Sequence, residues 1–164
     1  MSKEKIYITK LHHDAKIPFK RDEDAGYDIY ACFDEEEFII EPHATRLVPT
    51  GIATKFSKKY VMQLNERGST GSKGIAQRCG VIDSGFRGEW MVPLTNTTDK
   101  KLVITKHVTG FESDENVMFY PYSKAICQAL LLPVPQSKIV EVTNEDFEKF
   151  ESKRGKGMLG SSGK

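Results

Sequence analysis

The chain has no long apolar run: none of its hydrophobic stretches approaches the length needed to cross a bilayer. Its first residues, MSKEKIYITKLHH, carry no apolar segment of signal-peptide length. A soluble, cytoplasmic protein with no membrane partner is expected. Charge of one sign is also missing. Lys and Arg number 24 against 23 Asp and Glu, a net charge of +1, and the two signs alternate along the chain. Nothing here pulls broadly on nucleic acid, so no nucleic-acid partner is expected. Cysteine is scarce: Cys32, Cys79 and Cys127 are far apart and form no CxxC pair. That excludes a disulfide framework and a structural cysteine-zinc site, and predicts buried, reduced thiols. His12, His13, His43 and His107 lack ligand spacing. The adjacent pair would face opposite ways on a strand, so all four read as surface residues.

What is present is a series of short strands in 164 residues, enough for one domain with a sizeable core. KIYITKL alternates, and YDIYACF follows a glycine. EEFIIEPHATRLVPTGIATKF reads as three strands joined by turns at Pro42 and at Pro49 to Gly51. YVMQL, EWMVPLTN, KLVITKHV, AICQALLLPV and KIVEV continue the pattern. Rich in Val, Ile, Tyr and Thr and punctuated by Gly and Pro, these predict an all-β barrel or sandwich. TNEDFEKFES is the one predicted helix, capped by Thr143 or Asn144. Two stretches stand outside the core: the polar segment 109–119, and the glycine-rich arm from about 152 onward.

Glycine spellings need structural context. GKGMLG (155–160) has dinucleotide-motif spacing, but only four residues follow it, so no helix opens there. In GSTGSKG (68–74), Lys73 lacks the Ser or Thr that a P-loop requires. The remaining loops have complementary chemistry. ERGSTGSKG sets Arg67, Ser69, Thr70, Ser72 and Lys73 on a glycine-rich turn that can serve phosphate oxygens or simply a solvated hairpin. CGVIDSGFRGEW places Asp83 after a short apolar run, where it either caps a turn or holds a water for attack on phosphorus; Phe86 follows as a wall for a base. Asp28 is an acid between apolar neighbours in a strand pattern, which suggests a salt bridge or a magnesium-bound water. In the C-terminal arm, Arg154, Lys156, Ser161 and Ser162 offer donors and charge to an anion. The same composition also suits a disordered tail.

Taken together, these stretches resemble the trimeric dUTP diphosphatase (dUTPase) family over nearly the whole chain. AGYDIYA (25–31) resembles its first motif, RGSTGSKG (67–74) its second and GVIDSGFRGEW (80–90) its third. YSKAICQALLLPV (122–134) resembles the fourth, and RGKGMLGSSG (154–163) the glycine-rich fifth. LVPTGIATKF (47–56) is similar to the linking hairpin. The resemblance implies a jelly-roll-like β-barrel over residues 1–151, a homotrimer, and a flexible arm over 152–164 that closes over the active site, usually a neighbouring subunit's.

The implied reaction is hydrolysis of dUTP to dUMP and pyrophosphate, limiting uracil in DNA and supplying dUMP for dTMP synthesis. Asp83 would activate the water that attacks the α-phosphorus. Asp28 would hold Mg2+ through water. Arg67, Gly68, Ser69, Thr70 and Gln128 would belong to the phosphate network, and Arg154, Ser161 and Ser162 would be the arm's phosphate contacts. Phe86 stands where the family usually has Tyr against deoxyribose. Gln77 or backbone groups near Gly80 would read the uracil edge. Two departures are visible: Gly68 replaces the usual Ser after Arg, and Leu159 replaces the aromatic that covers the base. The segment near 105–118 is longer than the basic pattern and is similar to extra segments of some phage members, which points to a phage or prophage origin and to a regulatory partner. Two rivals remain at this stage. A dCTP deaminase shares the fold and parts of the first three motifs, and a regulatory binding protein could use the same fold.

Overall fold

The computed structural model describes residues 4–157. Thirteen strands form four sheets, and the architecture is the expected all-β, jelly-roll-like one. β1 (Tyr7–Lys10) pairs antiparallel with β5 (Ile52–Lys55). β4 (Thr45–Pro49), β9 (Met91–Asn96) and β7 (Ile75–Gln77) form a second sheet in that order. β2 (Gly26–Tyr30), β13 (Ala125–Pro133), β6 (Tyr60–Asn65) and β8 (Val81–Ile82) form the third, which carries most of the residues of interest. The fourth runs β11 (Glu112–Ser113), β12 (Val117–Pro121), β10 (Lys101–Thr105), β3 (Glu37–Ile40).

The inward residues of these sheets make one core. Trp90, Ile29, Ile40, Val48, Leu64, Val92, Leu102, Ile104 and Ile126 are almost wholly buried. The buried polar groups around Trp90 and Asn96 are paired. The Trp90 indole N–H donates to Thr54 Oγ1 at 3.1 Å, and Thr50 Oγ1 donates to the Trp90 carbonyl at 2.6 Å. Asn96 is fully buried, and its amide donates to the carbonyls of Ile40 and Lys100 at 3.1 and 2.6 Å. It thereby fastens β9 to β3.

The polar interruption has a topological reason. β10 and β12 run parallel, and a parallel pair cannot be joined by a tight hairpin. Residues 106–116 make that connection, and β11 folds back onto β12 within it. Thr105 and Met118, at the margins of the segment, are buried in the strands themselves.

Two expectations are corrected. KIVEV forms no strand: residues 134–143 have no regular structure, and Ile139 is 96% exposed. Its β-prone composition has no partner strand within this chain. Of the three cysteines, Cys32 and Cys127 are buried but Cys79 is exposed. Burial pushes the Cys127 thiol up to about 12, so it stays protonated and inert.

The expected helix is present as one turn, α2 (Asn144–Phe147). The Thr143 hydroxyl accepts from the Asp146 N–H at 3.1 Å. No helix among the described residues is long and apolar enough to cross a membrane.

Gly51 is a tight turn position in this frame. Its φ is +66°, and a Cβ there would lie 2.8 Å from Ala15 Cβ and 2.9 Å from Cys32 Sγ. Gly51→Ala should therefore cost about 2–4 kcal/mol, adding left-handed strain to overpacking. Urea unfolding of the two proteins side by side measures it.

Candidate active site

Register brings the first group of residues together. Asp28 on β2 sits opposite Gln128 on β13, and Gln128 sits opposite Asn65 at the end of β6. Two residues on, the chain turns into a short helix, α1 (Gly68–Gly71), with Arg67 at its N-cap. The composition suggests a plain glycine-rich turn here; Thr70 makes it helical. Thr70 is buried, its hydroxyl accepting from the Arg67 N–H and donating to the Arg67 carbonyl at 3.2 and 3.1 Å. Thr70 thus builds the loop and turns its hydroxyl inward.

So held, the Arg67 guanidinium reaches Asp28. Nε lies 3.0 Å from Oδ1, and Nη2 donates to Oδ2 at 3.4 Å. Nη1 donates to Ser69 Oγ at 3.2 Å and to the Ala125 carbonyl at 3.4 Å. The Asp28 and Arg67 side chains are 31% and 29% exposed, open enough to meet a ligand. The Gln128 amide donates to the Glu66 carbonyl at 2.9 Å. Its Oε1 lies against Gly26, where a Cβ would come within 2.7 Å. Gly26 therefore makes room for Gln128. Around Gly68 there is open space, so a side chain fits where the family usually has serine.

These residues line a cleft of about 590 Å³ that also includes Phe19, Lys20 and Arg21. Asp24 bonds to Arg21 at 2.9 Å, and that hydrogen bond holds its carboxyl below the usual range. Lys20, Arg21 and Arg67 are balanced in the lining by Glu23, Asp24 and Asp28, so the cleft offers basic groups to an anion and carboxylates to a cation. The oxygen donors also suit a hard divalent cation: the Asp28 carboxylate and Gln128 Oε1 face the same space. Arg67 already occupies Asp28, so a cation would meet that carboxylate through water rather than directly.

A second group sits on the loop that carries the chain from β7 in one sheet to β8 in another. The Gln77 amide donates to the carbonyls of Arg78 and Cys79, so its donors brace the turn. Cys79 has φ +49°, a left-handed conformation unusual for a residue with a side chain. Gly80 packs directly on β6. Its carbonyl accepts from the Leu64 N–H at 2.7 Å, and a Cβ would collide with Gln63 Nε2 and the Leu64 carbonyl oxygen. Asp83 follows β8 and is exposed. Its carbonyl accepts from the Phe86 N–H at 3.0 Å, and Arg87 pins the same turn by donating to the Ser84 and Phe86 carbonyls at 2.7 and 2.9 Å. Phe86 is 43% exposed, its ring against Gly88. Asp83 and a half-open ring are thus held on one fixed turn.

The two groups do not meet within one chain. Asp83 lies one residue beyond the Met62–Ile82 pair, whereas Asp28 is level with Asn65 and two strands further across. At about 3.4 Å per residue and about 4.8 Å per strand, they are roughly 20 Å apart. Arg154 is exposed on the arm, where its Nε donates to the Gly157 carbonyl at 3.1 Å. Leu159, Ser161 and Ser162 lie outside the described residues.

Sequence reasoning missed Glu66. Its Oε1 accepts from the Gln77 N–H at 3.2 Å while its carbonyl accepts from Gln128, so it joins both groups. The only signal was an acid placed next to Arg67.

Residues 13–109 match the family model described as dUTPase. A deoxyuridine 5'-triphosphate nucleotidohydrolase of Nautilia profundicola is 32% identical over 164 residues, covering 98% of this chain and 99% of the relative. Among solved structures, the Staphylococcus bacteriophage 80alpha dUTPase with dUPNHPP is similar with a TM-score of 0.74 at 24% identity, covering 98% and 99% of the two chains. A mutant dUTPase of S. aureus phage phi11, described with the coordination of a structural Mg(II) ion, gives 0.67 at 19%, covering 84% and 96%. The chain belongs to the dUTPase family.

The close contact of Gly80 with β6 is open to direct test. Gly80→Ala should push the loop away and break the Leu64–Gly80 bond. Hydrogen exchange at the Leu64 amide should then rise well above that of the parent.

Proposed function

We propose that this dUTP diphosphatase cleaves dUTP to dUMP and pyrophosphate in a site shared between copies of the chain, with Asp83 as the general base. The observation that carries the reading is the separation of Asp83 from the Asp28–Arg67–Gln128 cleft. A water that attacks phosphorus must lie within hydrogen-bond reach of its base. Roughly 20 Å forbids that within one chain, so the Asp83 turn of one copy serves the cleft of another. A homotrimer satisfies this three times over with closed symmetry.

The cleft takes the triphosphate. Arg67 turns from Asp28 toward phosphate oxygens, with Ser69 and the N–H groups of α1 beside it. Asp28, through water, and Gln128 Oε1 would hold magnesium, which would supply neutralisation of the phosphate charge. The β7–β8 loop receives the uracil: its backbone groups near Gly80 read the base edge, since the Gln77 amide is committed to the turn. The Phe86 ring packs on deoxyribose and disfavours a 2′-hydroxyl. Asp83 orients a water in line with the α-phosphorus and accepts its proton, and positioning carries much of the acceleration. The arm from 152 onward covers the site, with Arg154, Ser161 and Ser162 on the phosphates and Leu159 over the base. Its closure excludes bulk water and strengthens each charge interaction. In the cell the reaction keeps uracil out of DNA and supplies dUMP for dTMP synthesis.

Asp83→Asn should still bind dUTP but lose nearly all hydrolysis, because the amide cannot accept the proton. Arg67→Met should be inactive for a different reason. Dissociated and reassembled together in equal amounts, the two variants should regain roughly a quarter of parental activity, since symmetric mixed assemblies create sites with both residues intact. Pyrophosphate release measures this. No recovery on mixing would place the whole site within one chain.

A further inference from the structure

Between β1 and β2 the chain passes through His12, His13 and Asp14. On a strand, two neighbouring histidines would point opposite ways. Strand β1 ends at Lys10, however, and residues 11–14 turn. The turn stacks the two imidazoles, with centroids 4.3 Å apart and planes at 35°. His13 Nε2 lies 3.3 Å from Asp14 Oδ2. One donor atom from each of the three residues lies within 4.8 Å of the others, and no other group of three among the described residues does so.

The spacing has a chemical meaning. Ligands at about 2.0–2.2 Å from a tetrahedral ion sit about 3.3–3.5 Å from one another. The His13–Asp14 distance already has that value, and the His12 donor lies within 4.8 Å of both.

His12 is also held in the form a ligand requires. Its Nε2 is 2.9 Å from Asp34 Oδ1, and its Nδ1 accepts from the Asp14 N–H at 3.2 Å. Nε2–H therefore donates to Asp34, Nδ1 carries the lone pair, and a metal at Nδ1 would take the place of the Asp14 N–H. A carboxylate behind the imidazole is the usual support of a metal-binding histidine.

The turn itself is anchored. The Leu11 N–H donates to the Gly51 carbonyl at 2.7 Å, and Ala15 is buried against Gly51. Cys32 Sγ lies within hydrogen-bond distance of His12 Nδ1 at 3.3 Å; it is buried, and burial pushes its thiol up, so it meets that nitrogen as a neutral S–H.

We propose that His12, His13 and Asp14 form a binding site for a divalent d-block cation such as zinc or nickel, distinct from the magnesium-type cleft at Asp28. Two imidazoles select borderline metals, whereas magnesium prefers an all-oxygen shell. Ligation clamps the 11–14 turn onto the start of β5 and onto the loop that bears Asp34.

Equilibrium dialysis of the full chain with zinc chloride, in excess magnesium at neutral pH, tests the site. One zinc per chain is expected, together with a rise in melting temperature. His13 is 80% exposed, so His13→Ala should fold normally. It and Asp14→Asn should each weaken zinc binding at least about tenfold, and Asp34→Asn about 10–100-fold. His43→Ala removes another exposed histidine–aspartate pair, with Asp99 at 2.8 Å, and should change nothing. Asp28→Asn should likewise keep the zinc. Three results would overturn the assignment: no saturable zinc binding, undiminished binding in His13→Ala and Asp14→Asn, or loss of zinc in Asp28→Asn.

Discussion

The register of β6 governs this molecule. On one side it aligns Asn65 with Gln128 and, through β13, with Asp28; on the other it aligns Met62 with Ile82, one residue before Asp83. A strand's side-chain period of two leaves no intermediate setting, so slipping by one residue would turn every inward group outward. The charged cleft and the Asp83 turn are thus held rigidly apart by the same strand that connects them.

Glycine does complementary work on the two sides of that strand. Gly26 leaves space for Gln128, and Gly80 lets the β7–β8 loop lie directly on Gln63 and the Leu64 carbonyl. Neither has a positive φ, so close approach rather than conformational freedom selects glycine there. Between them, Arg67 and Asp28 neutralise each other while both stay partly exposed.

Much of this was legible in the sequence. Strand composition marked nearly every core strand, and Thr143 marked the cap of α2. The motif stretches pointed to Asp28, Arg67, Gln128 and Asp83. What could not be read was anything that depends on a partner distant in the chain. KIVEV has the composition of a strand, but β-propensity is realised only where another strand pairs with it. Thr70 looked like a ligand contact because its burial comes from the core beneath it. Gln77 looked like a base reader, and only the loop's geometry shows its amide spent on two carbonyls. His12 and His13 were dismissed on strand periodicity because the end of β1 at Lys10 has no strong signal.

The pairing of β2 with β13 also bears on how the molecule is made. Tyr30 meets Ala125, and Gly26 meets Leu130, about a hundred residues further along. Closing so long a loop is entropically costly, and sheets dominated by distant pairings form slowly. On the ribosome, β2 leaves the exit tunnel long before its partner strand exists. Until β13 arrives, Ile29 and Leu64 have no strand between them, and the half-built sheet presents bare edges to its neighbours. The strand that completes the cleft is therefore also the one that ends the nascent chain's exposure to aggregation.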